Sequence, residues 1–319
     1  MKAKHLLVAG ILAFTLPNLA PASIVYISNR SDNMVGAYDA ATGVPVAGWT
    51  SPTGLNSPTA LAISGNSLYV GNSGIGTVGK YDATTGAAIA GWVSPSMGNP
   101  AAITLSGSYL YIAKYVFSPF PLANAEVAKY DTTTGAAVGV PLTISLTNGA
   151  SAVYGIGLSG NNLFINDGSG VKKYDATTGA PAIGWNPPAG MVWGSGDLPI
   201  SGNELFFSSP SFSAPLKKID MTTGAAISGW TSPSFGGFVF GALAVSDNHL
   251  YVATGNGSST VGQYDATTGA PISGWTSPSG LNNSSGIAIS NVPEPASIGL
   301  LAAGAILLAT RRRRELGTV

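Results

Sequence analysis

The chain has 319 residues, 45% of them hydrophobic and only 9% charged, against roughly 25% charged in ordinary soluble domains. So much apolar material excludes a disordered chain, and the absence of cysteine excludes disulfides, thiolate metal sites and cysteine nucleophiles. The formal net charge is zero, but the basic residues crowd at the two ends; Ser23 to Asn291 holds 12 acids and 8 bases, about −4, with no basic stripe to meet a nucleic acid.

Met1 to Ala22 opens with Lys2 and Lys4, runs through an apolar stretch from Leu6 to Leu16, and ends on Ala20-Pro21-Ala22. These are the three parts of a secretory signal peptide, so residues 1–22 are expected to be removed and the mature chain to begin at Ser23.

From there the chain repeats one unit. Asp-x-x-Thr-Gly begins at Asp39, Asp82, Asp131, Asp175, Asp220 and Asp265, at spacings of 43, 49, 44, 45 and 45 residues. Such a period belongs to propeller blades and to some helical arrays. An Asp can accept backbone N–H groups two and three residues on, Thr adds its hydroxyl, and Gly takes a positive φ, so the motif predicts a short β-hairpin turn. A Trp follows the residue before the Asp by 11 positions in five units, at Trp49, Trp92, Trp185, Trp230 and Trp275; the third unit has PLTISL instead. The Asp-x-x-Thr-Gly…Trp unit resembles the blade repeat of quinoprotein and related propellers, whose Trp docks one blade on the next, although here the Trp falls two residues later. Two residues preserve the side of the strand. The resemblance implies architecture alone, with no cofactor.

Each unit reads as four short strands, a to d, separated by Gly and Asn. In the second unit they are Ala60 to Ser64, Leu68 to Gly71, Val78 to Tyr81 and Ala88 to Trp92. The first unit lacks strand a, and GLNNSSGIAIS at Gly280 to Ser290 aligns with GLNSPTALAIS at Gly54 to Ser64. The expected fold is therefore all-β, a six-bladed propeller of four-stranded blades over residues 23–291, with the C-terminal strand completing the N-terminal blade and protecting strand edges.

Few side chains could carry chemistry. The six hairpin aspartates could form a ring of metal ligands, but their constant company of Thr and Gly points to turn structure. His249 stands at an a-to-b turn, and one histidine is too few for a multi-histidine zinc site. Asp32 and Asp167 occupy b-to-c loops that could share a mouth; Asp197, Asp247, Glu126 and Glu204 complete the carboxylates, and no loop has calcium-site spacing. The largest break in the repeat is Lys114 to Val127, which sets Tyr115, Phe117 and Phe120 among prolines. Aromatics on a polar surface can stack on sugars or pack as a lid.

Val292-Pro293-Glu294-Pro295 then precedes an apolar run, 296–310, and Arg311, Arg312, Arg313 and Arg314. A Pro-Glu-Pro, one hydrophobic helix and an Arg cluster, in that order, resemble the PEP-CTERM sorting tail, here 292–319. The resemblance implies an exosortase-type membrane protease as partner and export to the envelope, usually in bacteria that make exopolysaccharide. Fifteen apolar residues are short for a span of about 20, so the segment needs snorkelling Arg side chains, and those Arg should stay cytoplasmic. The expectation is an exported, non-catalytic binding or structural module, with polysaccharide or another surface protein as ligand. The alternative is a lactonase-like hydrolase or lyase with a metal-dependent site at one mouth of the channel.

Overall fold

The computed structural model describes residues 23–95, 98–114, 124–146, 153–185, 187, 197–208, 216–233, 242–254 and 259–291. The chain divides into two compact units, one of residues 23–292 and one of residues 1–22 with 293–319. The signal peptide expected over 1–22 and the hydrophobic helix expected over 296–310 lie outside the described residues. Among the described residues no helix is long and apolar enough to cross a membrane.

Every regular element described is a β-strand. In chain order these are β1 (Ser23–Asn29) and β2 (Met34–Asp39); β3 (Pro58–Ser64), β4 (Ser67–Asn72) and β5 (Thr77–Asp82); β6 (Pro100–Ser106), β7 (Tyr109–Lys114), β8 (Asn124–Asp131) and β9 (Leu142–Ser145); β10 (Gly155–Ser159), β11 (Asn162–Asn166) and β12 (Val171–Asp175); β13 (Ile200–Ser201), β14 (Glu204–Ser208) and β15 (Leu216–Asp220); β16 (Leu243–Ser246), β17 (His249–Ala253) and β18 (Val261–Asp265); and β19 (Ser284–Asn291). They form six small antiparallel sheets, numbered here 1 to 6 in chain order. Sheet 1 takes its first strand from the far end of the sequence: β19 pairs with β1 in the register Val25↔Ile289 and Ile27↔Ile287, and β1 pairs in turn with β2.

The expected fourth strand is mostly absent. Sheet 3 alone has four, through β9; elsewhere the fourth position shrinks to one bridge, such as Tyr81↔Ala88 or Tyr264↔Pro271. The cause is local, because Gly91 follows Ala88 by three residues at φ +78°, and a left-handed residue cannot continue an extended ladder. The third unit has the same bridge, Tyr130↔Ala137, and its own left-handed Gly139 at φ +70°, but beyond them PLTISL resumes as an extended apolar segment that pairs with the start of β8, Ala125↔Ile144 and Val127↔Leu142.

Middle strands are apolar on both sides. Alternation along β4 sends Leu68 and Val70 to one face and Tyr69 to the other, and all three are buried. Leu68 and Val70 join Tyr26 and Val35 of sheet 1, whereas Tyr69 joins Leu110 and Ile112 of sheet 3. Four further cores join sheets 3 and 4, 4 and 5, 5 and 6, and finally 6 and 1, where Tyr251 and Ala253 meet Val25 and Ile27. The first strand of each sheet also touches the next, through β3, β6, β10, β13, β16 and β19 and back to β3. Both faces of every sheet are thereby covered, which explains why a chain so poor in charge tolerates such apolar middle strands.

Candidate functional site

Each hairpin aspartate engages Oδ1 in its own turn. At Asp82, Oδ1 accepts the N–H of Thr84 at 3.0 Å, the N–H of Thr85 at 2.8 Å and the Thr85 hydroxyl at 2.9 Å, while Gly86 turns the chain at φ +78°. The same three bonds recur at the other five. In four units Oδ2 also accepts an Asn amide from the preceding turn, Asn66, Asn161, Asn203 or Asn248. Donated N–H bonds from the Thr three residues on hold the carboxyls of Asp131, Asp175, Asp220 and Asp265 below the ordinary carboxylate range.

The carbonyl after the Asp has a second use in five of the six units, as the latch between sheets. Ala83 O accepts Tyr26 OH at 2.8 Å and Trp49 Nε1 at 2.9 Å from sheet 1. Thr132 O accepts Tyr69 OH and Lys80 Nζ; Met221 O accepts Lys173 Nζ and Trp185 Nε1; Ala266 O accepts Lys218 Nζ. Tyr251 OH and Gln263 Nε2 donate to Ala40 O, which ties sheet 6 to unit 1. The Trp rings pack on the middle-strand aromatics of their own sheets, as Trp49 does on Tyr26 at 5.9 Å and Trp275 on Tyr251 at 5.4 Å. Between sheets 3 and 4, with no Trp, Lys129 lies over the rings of Tyr109 and Tyr111 at 3.6 and 5.7 Å beside a cavity of about 290 Å³.

The remaining carboxylates are mostly absorbed locally. Asp167 is buried, pairs with Lys172 and accepts the Ser169 N–H and hydroxyl within its own loop. Asp32 accepts Asn282 Nδ2 at 3.2 Å. Lys114 pairs with Glu126, and Lys218 with Glu204. His249 is half-buried, its ring 6.4 Å from that of Tyr251. Among the described residues no three His, Asp or Glu side chains gather as a metal site requires. Tyr115, Phe117 and Phe120, and the tail residues Pro293, Glu294, Pro295 and Arg311 to Arg314, lie outside the described residues.

Asp197 is different. It stands just before β13 on a cavity of about 330 Å³ that all six first strands line, with Leu61, Ile63, Ile103, Leu105, Ile156 and Ile289 among its walls. Its carboxylate takes the N–H of Ile287 and its own N–H, yet Oδ2 is buried with no hydrogen-bond partner. Burial drives the carboxyl up to about 8 against the pull of those two N–H groups. The residue keeps partial exposure only because it borders the cavity. A sequence signal existed: when the first strands are aligned on their closing serines, the position of Asp197 holds Ala60, Ala102, Gly155, Ala242 and Gly286 in the other units. Pro199, two residues on, has no N–H to give a ladder, and β13 is only two residues long.

Among solved structures, the chain is similar to that of the computationally designed Ika8 protein, at 16% identity and TM-score 0.51 over 84% of this chain and 91% of that one. It is also similar to the crystal structure of a nidogen/laminin complex, at 13% identity and TM-score 0.56 over 84% of this chain and 98% of that one. At these identities the likeness concerns the fold alone. No curated protein matches the chain in sequence. Residues 291–314 match the PEP-CTERM protein-sorting motif, which marks the chain as exported, directed to the cell envelope and processed by exosortase, a membrane protease.

Proposed function

We propose that the six sheets are the blades of a closed six-bladed β-propeller, exported behind a signal peptide at 1–22 and serving the envelope or extracellular matrix as a non-catalytic binding or structural module associated with exopolysaccharide. The observation that carries the destination is the sorting motif at 291–314. Closure is supported by the β19–β1 pairing and by the core between sheets 6 and 1. A binding role without chemistry is supported by the hairpin carboxylates, each of which commits Oδ1 to its own turn.

Tyr115, Phe117 and Phe120 are the proposed contact residues, stacking on sugar rings. A body of about −4 suits neutral sugars better than anionic polymers. The test replaces all three by Ser and compares retention of the purified protein on the producing organism's own matrix. Weakened retention with an unchanged melting temperature is expected; equal retention by a folded variant rejects the loop as the site. Intact-mass analysis of the secreted form should show Ser23 first and no Arg311 to Arg314.

A further inference from the structure

We propose that the cavity bordered by Asp197 binds a small organic cation, a primary ammonium on a short hydrocarbon body, with the ammonium paired to the Asp197 carboxylate. This does not depend on the matrix reading, because neither the aromatic loop nor the sorting tail takes part.

The chemistry of the wall selects the ligand. Among the described residues, Asp197 is the one charged side chain of the lining; Thr104 adds a hydroxyl, and the rest of those described are aliphatic or Pro. A volume of about 330 Å³ falls at the small end of ligand pockets, roughly 300–1,000 Å³. Calcium needs about six to eight oxygens, and one carboxylate beside aliphatic side chains does not supply them. A neutral sugar would want an aromatic platform, and among the described residues no aromatic side chain lines the cavity. An alkylammonium meets both halves of the wall: its carbons lie against Leu61, Ile103 and Ile156, and its charge is matched by the carboxylate of Asp197.

The geometry also explains why this unit alone carries the carboxylate. At the equivalent place the other five first strands have only Ala or Gly, so one side chain enters the space and a single charge is presented there. The Ile287 N–H on β19 holds the carboxylate across from the far end of the chain.

The test is calorimetric titration of the purified full chain with n-butylammonium chloride at pH 9, where the carboxyl is ionised and the amine is still charged. Saturable binding at one site per chain is expected. Affinity should fall ~100-fold at pH 6, about one decade per unit below the carboxyl's value of about 8. Binding near neutrality should release a proton, seen as a heat that varies with the buffer. n-Butanol, the neutral counterpart, should not bind, and Asp197→Asn, nearly isosteric, should abolish amine binding while raising the melting temperature. Equal amine binding by Asp197→Asn overturns the proposal, as does an affinity that ignores pH. Calcium chloride is the third titrant: binding that needs Asp197, with none by the amine, overturns the organic class in favour of an inorganic cation. Should Asp197→Asn not fold, the butanol comparison and the pH series on the unaltered protein still decide.

Discussion

The junction between sheets 1 and 2 and that between sheets 3 and 4 solve one problem with different parts. In the first, Trp49 lies against Tyr26 and its indole N–H and the Tyr26 hydroxyl converge on Ala83 O. Gly86 presses so close to the chain after that Trp that a Cβ would stand 1.7 Å from Thr50 O. In the second there is no Trp; β9 brings Ile144, fully buried, up to Gly179, and a Cβ there would meet only Ile144 Cδ1 and Thr143 O at 3.2 Å. The first junction is polar, directional and tight; the second is aliphatic, looser, and leaves Lys129 facing aromatic rings beside a cavity. A repeat can therefore lose its docking residue when a pairing strand takes up the work.

The largest expected difference lies at the two glycines, which share a φ near +75° and differ in surroundings. Gly86→Ala should cost about 4 kcal/mol, backbone strain plus a clash with a backbone oxygen that has no rotamer to yield. Gly179→Ala should cost about 1–2 kcal/mol, the strain alone, since Ile144 can shift. Urea denaturation of both variants measures it, and equal losses would break the contrast. Next comes Trp49→Ala, which removes a half-buried ring and its hydrogen bond for about 3 kcal/mol; the same denaturation, with melting followed by near-ultraviolet circular dichroism, should locate the loss in the Tyr26 environment. Smaller again is the lysine pair. Lys80→Met removes a donor to Thr132 O and should cost about 1 kcal/mol, while Lys129→Met, which gives up only ring contacts, should cost about 0.5 kcal/mol or less. A double comparison by chemical denaturation sharpens the difference between latched and unlatched cations.

The smallest effect is shared by both kinds of junction. Asp131 and Asp175 have folded values held below the unfolded one, first by the Thr134 and Thr178 N–H groups. Their contribution is therefore present above the ordinary carboxylate range and is lost as the pH falls through it. Asp131→Asn and Asp175→Asn should each lower stability slightly at neutral pH, and the difference from the unaltered protein should vanish as the pH falls through the carboxylate range. Melting temperatures between pH 2 and 7 test this, and a difference that is confined to the acid end contradicts the sign.

Strand positions were legible because local alternation and turn residues set them: Leu68 to Gly71 read as a strand, and β4 spans Ser67–Asn72. The β19–β1 pairing was legible for another reason, since the chain copies the β3 segment near its end. The fourth strands were overread. Ala88 to Trp92 has the composition of a strand, but Gly91 at positive φ outweighs it. What local reasoning could not reach were contacts across units. Nothing near Lys80 says that its ammonium ends on Thr132 O, and Asp197 stands out only when six inner strands are laid over one another. Such information lies in how units stack, which short-range pattern does not encode.

The pairing of Ser23 with Asn291 has a consequence for timing during export. The first sheet to emerge from a translocation channel waits, with one edge bare, for the last strand to follow it. Contacts of such sequence separation form slowly. The sorting motif begins at residue 291, on the strand that ends this wait. The residues read by the protease thus arrive together with the strand that finishes the fold, so completion of the sheet and presentation of the tail are one event in the passage of the chain.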